Sequence, residues 1–177
     1  IWADYLSQFG LDPENQLCTD DFAGHLAHNA NLSVKAILGI ASYARMADML
    51  GEKEASEKYM ALALSLADEW EKMADDGDHY RLTFDRPDTW SQKYNLVWDS
   101  LLGLNVFPQE IMKKDYAYYK TKVNEWGLPL DSRSTYTKSD WIIWTASMAR
   151  SREDFNALVD PLWKFYNETI DRVPMSD

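Results

Sequence analysis

A single cysteine, Cys18, stands in 177 residues. One thiol excludes an internal disulfide and any metal centre built on several cysteines. Cations are scarce as well, since 18 Lys and Arg against 29 Asp and Glu leave a net charge of −11. A chain of that sign lacks the clustered basic residues that neutralise phosphates, which argues against nucleic acid and against an anionic lipid surface. No apolar run approaches the ~20 residues that span a bilayer. The opening residues hold no signal-peptide pattern and so give no localisation. The chain starts on Ile1 and runs straight into a helical pattern. Residues 1–177 are therefore read as one α-helical domain, a fragment of a larger multidomain protein.

What is present is apolar and aromatic. Hydrophobic residues make up 46% of the chain, too many for intrinsic disorder. Eight Trp and ten Tyr exceed what a helical core requires. Such rings either fill gaps between helices or line a cleft for a polar, ring-shaped or amide ligand.

Hydrophobic periodicity predicts helices in pairs. Residues 1–9 read as the end of a helix closed by Gly10, followed by a turn at Asp12-Pro13. Residues 22–50 carry only Lys35, Arg45 and Asp48 as formal charges, the pattern of a helix buried on most sides, and Gly51 stops it. Residues 52–74 differ. Ala55, Tyr59, Leu62, Leu66, Trp70 and Met73 form one apolar stripe among Glu and Lys, the pattern of an outer, amphipathic helix. The inner–outer order repeats at residues 91–106 and 109–126, then at 139–150 and 151–170, where Pro161 is expected to kink or split the last helix. Alternation of Tyr80, Leu82 and Phe84 predicts a short strand over 80–84. The fold class is therefore all-α, helical hairpins that bury their inner helices by stacking sideways. Six such hairpins close an α/α toroid, and three make about half of one with two open edges.

A polar loop precedes each inner helix. The first brings Thr19, Asp20 and Asp21, with His25, His28 and Asn29 just beyond; the second brings Asp85, Arg86, Asp88, Thr89 and Trp90; the third brings Asp131, Ser132, Arg133, Tyr136 and Lys138, with Asp140 just inside the helix. Parallel inner helices would gather all three loops on one rim. Carboxylates there suit hydrolysis, one acid protonating a leaving group while another activates water. Thr19, Asp20 or Asp21 would equally serve as helix caps, and so would Thr137 or Ser139. Asp99 lies in an otherwise buried segment, so it needs a partner, for which Arg133, Lys93 and Lys138 are the candidates. His25 and His28 are three apart on one expected helical face, yet no further ligand set marks a zinc site, and hydrogen bonding is the plainer reading. No metal and no cofactor is implied.

At these loops the sequence resembles the fungal glutaminase A family and its bacterial relatives. The matching blocks are Asn15-Gln16-Leu17-Cys18-Thr19-Asp20-Asp21-Phe22-Ala23-Gly24 with His25-Leu26-Ala27 and Asn31-Leu32, then Tyr94-Asn95-Leu96 with Asp99, and Leu102-Gly103-Leu104-Asn105-Val106-Phe107-Pro108. The sharpest is Gly127-Leu128-Pro129-Leu130-Asp131-Ser132-Arg133 followed by Tyr136-Thr137-Lys138-Ser139-Asp140-Trp141. The resemblance implies a secreted or periplasmic protein that hydrolyses L-glutamine to L-glutamate and ammonia. It also implies a six-hairpin toroid like that of many glycoside hydrolases, with further domains in the parent chain as partners. Matched motifs and the rim together nominate Asp20, Asp21, Asp99 and Asp140 as catalytic acids. Trp90, Tyr94, Asp131, Arg133, Lys138 and Trp141 are nominated to bind a small-molecule substrate, glutamine or a sugar. Glycoside hydrolysis and a non-catalytic helical-repeat module are the competing functions.

Overall fold

The computed structural model describes residues 1–14 and 24–170. Among them are seven α-helices and no β-strand. Helix α1 spans Trp2–Phe9, and α2 (Ala30–Met49) is followed by α3 (Lys53–Ala74). A 3-10 turn, Tyr94–Leu96, leads into α4 (Val97–Leu102), and then come α5 (Gln109–Lys120), α6 (Ser139–Ser147) and α7 (Arg152–Glu168).

The first hairpin is the largest packed unit. Its turn is Gly51, whose φ of 78° is open to glycine without strain. Ala30, Ala41, Ala44 and Ala47 of α2 are buried, as are Ala63, Ala67 and Ala74 of α3. Small side chains on both partners let two long helices approach closely. Ala3 of α1 and Ile37 and Ile40 of α2 enter the same core as Trp70, Phe107 and Ile111. A second core joins α5, α6 and α7 through Tyr116, Tyr119, Ile142, Ala146, Leu158 and Leu162.

Several expectations change at element ends. The first inner helix begins at Ala30, not near residue 22, because Asn29 caps it by accepting the Leu32 N–H at 2.8 Å. The second inner helix shrinks from an expected 91–106 to six residues. Residues 91 and 92 are held extended by a bridge between Ser91 and Asp131 and by Gln92 N–H donating to the Leu130 carbonyl at 2.8 Å. At the other end Gly103 takes a left-handed φ of 60° and closes the helix. Helix α5 stops at Lys120 rather than Trp126, since Asn124 pairs with Gly127 and its side chain accepts the Trp126 N–H at 3.0 Å. The expected strand over 80–84 is instead an extended connection with single bridges on either side, Asp75 to Tyr80 and Asn29 to Thr83. Ser151 caps α7 by accepting the Asp154 N–H at 3.0 Å, and the helix runs through Pro161 without splitting. Ile170, the expected end of that helix, lies beyond it and is exposed.

The starts of the inner helices meet where Asn95 bonds Asn31 and Tyr94 stacks on Trp141, and the segments that follow α4 and α6 meet where Val106, Phe107, Met148 and Arg150 line one cavity.

Candidate functional site

Two sets of directed contacts assemble the rim. Between the first and second inner helices, the Asn95 N–H donates to Asn31 Oδ1 at 3.3 Å and its Nδ2 donates to the Asn31 carbonyl at 3.0 Å. Between the second and third loops, Ser132 N–H donates to the Trp90 carbonyl at 2.9 Å, and Trp90 N–H reaches Ser132 Oγ at 3.3 Å. Gln92 is fully buried beneath them. Its Nε2 lies 3.2 Å from the Leu128 carbonyl, 3.0 Å from that of Pro129 and 3.3 Å from Thr137 Oγ1, while its Oε1 accepts the Thr145 hydroxyl at 3.0 Å. A neutral amide suits this position because it satisfies carbonyls and a hydroxyl together without a buried charge.

The substrate-binding candidates fall into one neighbourhood. Tyr94 and Trp141 stack with centroids 4.5 Å apart and planes 3° from parallel. Trp144 tilts toward Tyr94 at 6.2 Å and packs edge-on against Trp98 at 5.4 Å, forming an aromatic wall along α4 and α6. The Lys138 ammonium stands 5.7 Å above the Trp141 ring, within cation–π range. Asp131, only 2% exposed, turns back on its own loop. Its Oδ1 accepts the Arg133 backbone N–H at 2.8 Å and Nε at 3.0 Å, and Oδ2 accepts Nη2 at 2.6 Å. That fork fixes the guanidinium plane at the surface. Trp90 is buried, edge-on to Tyr118.

The four acids nominated as catalytic are not gathered in the same way. Asp20 and Asp21 lie outside the described residues, as do Cys18 and Thr19. Asp140 is exposed in the first turn of α6, where its Oδ1 accepts the Trp141 N–H at 2.9 Å. It borders a mostly apolar groove of about 450 Å³ with Ile143, Trp144, Trp163 and Tyr166. Asp99 faces elsewhere, into a cavity of about 630 Å³ shared with Leu64, Met112 and Arg150. None of the expected cations is its hydrogen-bonding partner. Its carboxylate accepts the backbone N–H groups of Val106 at 3.1 and 3.2 Å and of Phe107 at 2.9 Å. A buried carboxylate is thereby satisfied by the turn that follows its own helix. Neither Thr137 nor Ser139 caps α6, whose N-cap residue is Lys138 with no side-chain cap bond.

His25 and His28 precede α2 rather than share a face of it. His28 has a φ of 61°, and its Nδ1 lies 2.7 Å from Asp12 Oδ1. The Asp12 carboxylate holds the imidazole pKa above its ordinary 6.5. The sign follows directly: stability from this pair is complete below about pH 6.5 and is lost as pH rises through the raised folded-state pKa. A nuclear magnetic resonance titration should place the His28 pKa above 6.5, with Asp12→Asn returning it to the ordinary value. An unchanged titration in Asp12→Asn would contradict the pairing. Among the described residues no group of three or more His, Cys, Asp or Glu could hold a metal ion.

Lys93, expected only as a candidate partner for Asp99, instead joins an unexpected buried cluster behind the rim. Lys93, Asp115 and Tyr119 are all fully buried. Lys93 Nζ donates to the Tyr80 carbonyl at 3.1 Å, the Ser91 carbonyl at 2.9 Å and Ser91 Oγ at 3.1 Å, and stands 4.0 Å from Asp115 Oδ2. Burial pushes the lysine down to about 8 and pushes the Asp115 carboxyl up. The signal was present in α5, where Ile111, Asp115 and Tyr119 step by four along one buried stripe and place a carboxylate on the apolar face.

These hairpins, each an inner helix backed by an outer one, define an all-α helical-hairpin domain. The chain matches the family described as glutaminase A six helical-hairpin domain over residues 1–177, and it belongs to that family. It is 36% identical to glutaminase A of Aspergillus oryzae over 84% of its length, and 31% identical over 99% of its length to a protein of Arthroderma benhamiae named "Probable glutaminase". It spans 22% and 24% of those relatives, about a quarter of their length. No helix among the described residues is long and apolar enough to cross a membrane.

Proposed function

We propose that this domain supplies part of the active-site rim of a hydrolase that converts L-glutamine to L-glutamate and ammonia. The observation that carries the reading is the joined second and third loops, which place the Arg133 and Lys138 cations in one neighbourhood around the buried Tyr94–Trp141 stack. Glutamine needs a cation for its α-carboxylate and an anion for its α-ammonium. The Arg133 guanidinium or the Lys138 ammonium meets the first need, and acids of the rim meet the second. Water attack on the side-chain amide requires one carboxylate as base and a protonated acid for departing ammonia. Asp20, Asp21 and Asp140 are the proposed pool for those roles. Asp99 is set aside, since its carboxylate is engaged by backbone N–H groups and faces another cavity.

The same proposal makes residues 1–177 one domain of a larger, secreted or periplasmic protein, with further hairpins closing an α/α toroid. The apolar groove along α6 and α7 and the exposed Trp2, Tyr5 and Phe9 of α1 support the presence of further packed elements at both edges.

The test is ammonia release from glutamine by the full-length parent protein. Arg133→Ala is expected to raise KM for glutamine by about tenfold or more, the worth of a charge-assisted bond. Asp140→Asn should lower kcat. Absence of glutamine turnover in the unmodified parent would overturn the reading. One observation favours a second one: half-exposed Trp98 and half-buried Trp144, packed edge-on, also suit a sugar ring. Reducing-sugar release from a glycan panel, without ammonia release, would select it.

A further inference from the structure

We infer that Lys93, Asp115 and Tyr119 are positioning residues, by which the outer helix α5 sets the height and direction of the segment carrying Trp90 and Tyr94. This rests on the glutamine-hydrolysing reading for its kinetic consequences, and on packing geometry alone for its mechanical ones.

The contacts are directed, and they converge on one short segment. Tyr119 accepts the Lys93 backbone N–H at 2.9 Å. Its hydroxyl lies 2.9 Å from both the Ser91 carbonyl and Asp115 Oδ2, and its single proton serves one of the two at a time. Asp115 also accepts the Tyr80 N–H at 3.0 Å, anchoring the connection that follows α3. The three N–H groups of the Lys93 ammonium match three acceptors on residues 80 and 91. A buried ion pair is weak evidence for stability, because well-packed apolar side chains of similar volume often serve as well. Apolar packing does not fix the direction of a carbonyl, whereas these bonds do. Two residues from Lys93 in opposite directions, Ser91 pairs with Asp131 of the third loop and Asn95 bonds Asn31 of the first inner helix. An error in residues 91–93 therefore reaches Trp90, Tyr94 and the Asp131–Arg133 fork together.

The device has a defined alkaline limit. A neutral lysine has two N–H groups for three acceptors and no longer attracts Asp115. The groups facing Lys93 are Asp115 and Tyr119 of α5, Asp131 of the third loop and the Tyr80 and Ser91 oxygens, while His79 faces Asp115. Burial holds the Lys93 ammonium down to about 8, so release falls on the alkaline side of neutrality.

The experiment uses the full-length parent protein with Tyr119→Phe and Lys93→Arg. Steady-state kinetics on glutamine are run across pH beside hydrogen–deuterium exchange of residues 88–96, corrected for chemical exchange rates. Tyr119→Phe is expected to raise KM by about tenfold with kcat less affected, the loss of one hydrogen bond's worth of positioning, and to speed exchange of that segment. In the unmodified protein KM and segment exchange should climb above about pH 8. Lys93→Arg, which keeps its proton, should hold both level across that range. If Tyr119→Phe lowers Tm while KM and segment exchange stay at unmodified values, the cluster is structural only and the inference falls. If the parent does not turn over glutamine, the proposed function fails by itself. The exchange measurements then decide alone: faster exchange in Tyr119→Phe supports the inference and unchanged exchange overturns it.

Discussion

Trp70→Ala is expected to destabilise the domain by about 3–5 kcal/mol, the range for emptying a large aromatic site in a packed core. Trp70 is fully buried on the inward stripe of α3. Its indole N–H donates to the Ala30 carbonyl at 2.8 Å, so it ties the outer helix to the first residue of the inner one. Its ring meets Tyr80 at 5.3 Å and Phe107 edge-on at 5.5 Å. Removal leaves a cavity among aromatic neighbours and strips a buried carbonyl of its donor. Urea unfolding followed by far-ultraviolet circular dichroism measures the loss. Trp163→Ala is the control, since Trp163 is 69% exposed on α7 and should change stability by no more than about 0.5 kcal/mol. Equal effects at the two tryptophans would show that Trp70 does not hold the junction described.

The second large effect belongs to the buried ion pair. Lys93→Met alone should cost about 3–5 kcal/mol, because it leaves the buried Asp115 carboxyl without its cation. It also leaves the Tyr80 and Ser91 carbonyls without the donor Lys93 supplies. Adding Asp115→Leu removes the orphaned carboxyl, so the double variant should recover much of that loss. Unfolding free energies of the two single variants and the double variant form a thermodynamic cycle. A double variant as unstable as the sum of the singles would mean that the two groups do not interact across their 4.0 Å separation.

Sequence periodicity reached the elements whose partners are close in the chain. The stripe of Tyr59, Leu62, Leu66, Trp70 and Met73 lies on the core side of α3, with Tyr59 and Trp70 buried beside Ala63 and Ala67 and the other three partly buried, and Ser151 marked the start of α7. It failed where distant residues intervene. Residues 91 and 92 have helical neighbours, yet Asp131 and Leu130 hold them extended. Asp99 was expected to seek a cation because burial demands compensation, and the compensation came from two backbone amides of its own chain turn. The proximity of Trp90, Tyr94, Asp131, Arg133, Lys138 and Trp141 was legible because they lie in or just after two loops bounded by clear helix patterns. Lys93 and Asp115 were not, since each is unremarkable in its own segment and gains meaning only when α5 lies against residue 91.

The two buried amides of the rim, Asn95 and Gln92, have a consequence for how this surface can be altered. Asn95 grips the first inner helix, and Gln92, three residues earlier, grips both ends of the third loop and Thr145 of α6. One short stretch of chain is thus the common reference for three loops that an engineer would wish to vary one at a time. Substitutions at Asn31 and at Thr137, though they belong to different hairpins, share it and are expected to combine non-additively. Specificity changes on this rim are better sought at Asp85, Arg86 and Asp88, which are exposed at the crest of the second loop, than in the buried stretch from Leu128 to Asp131.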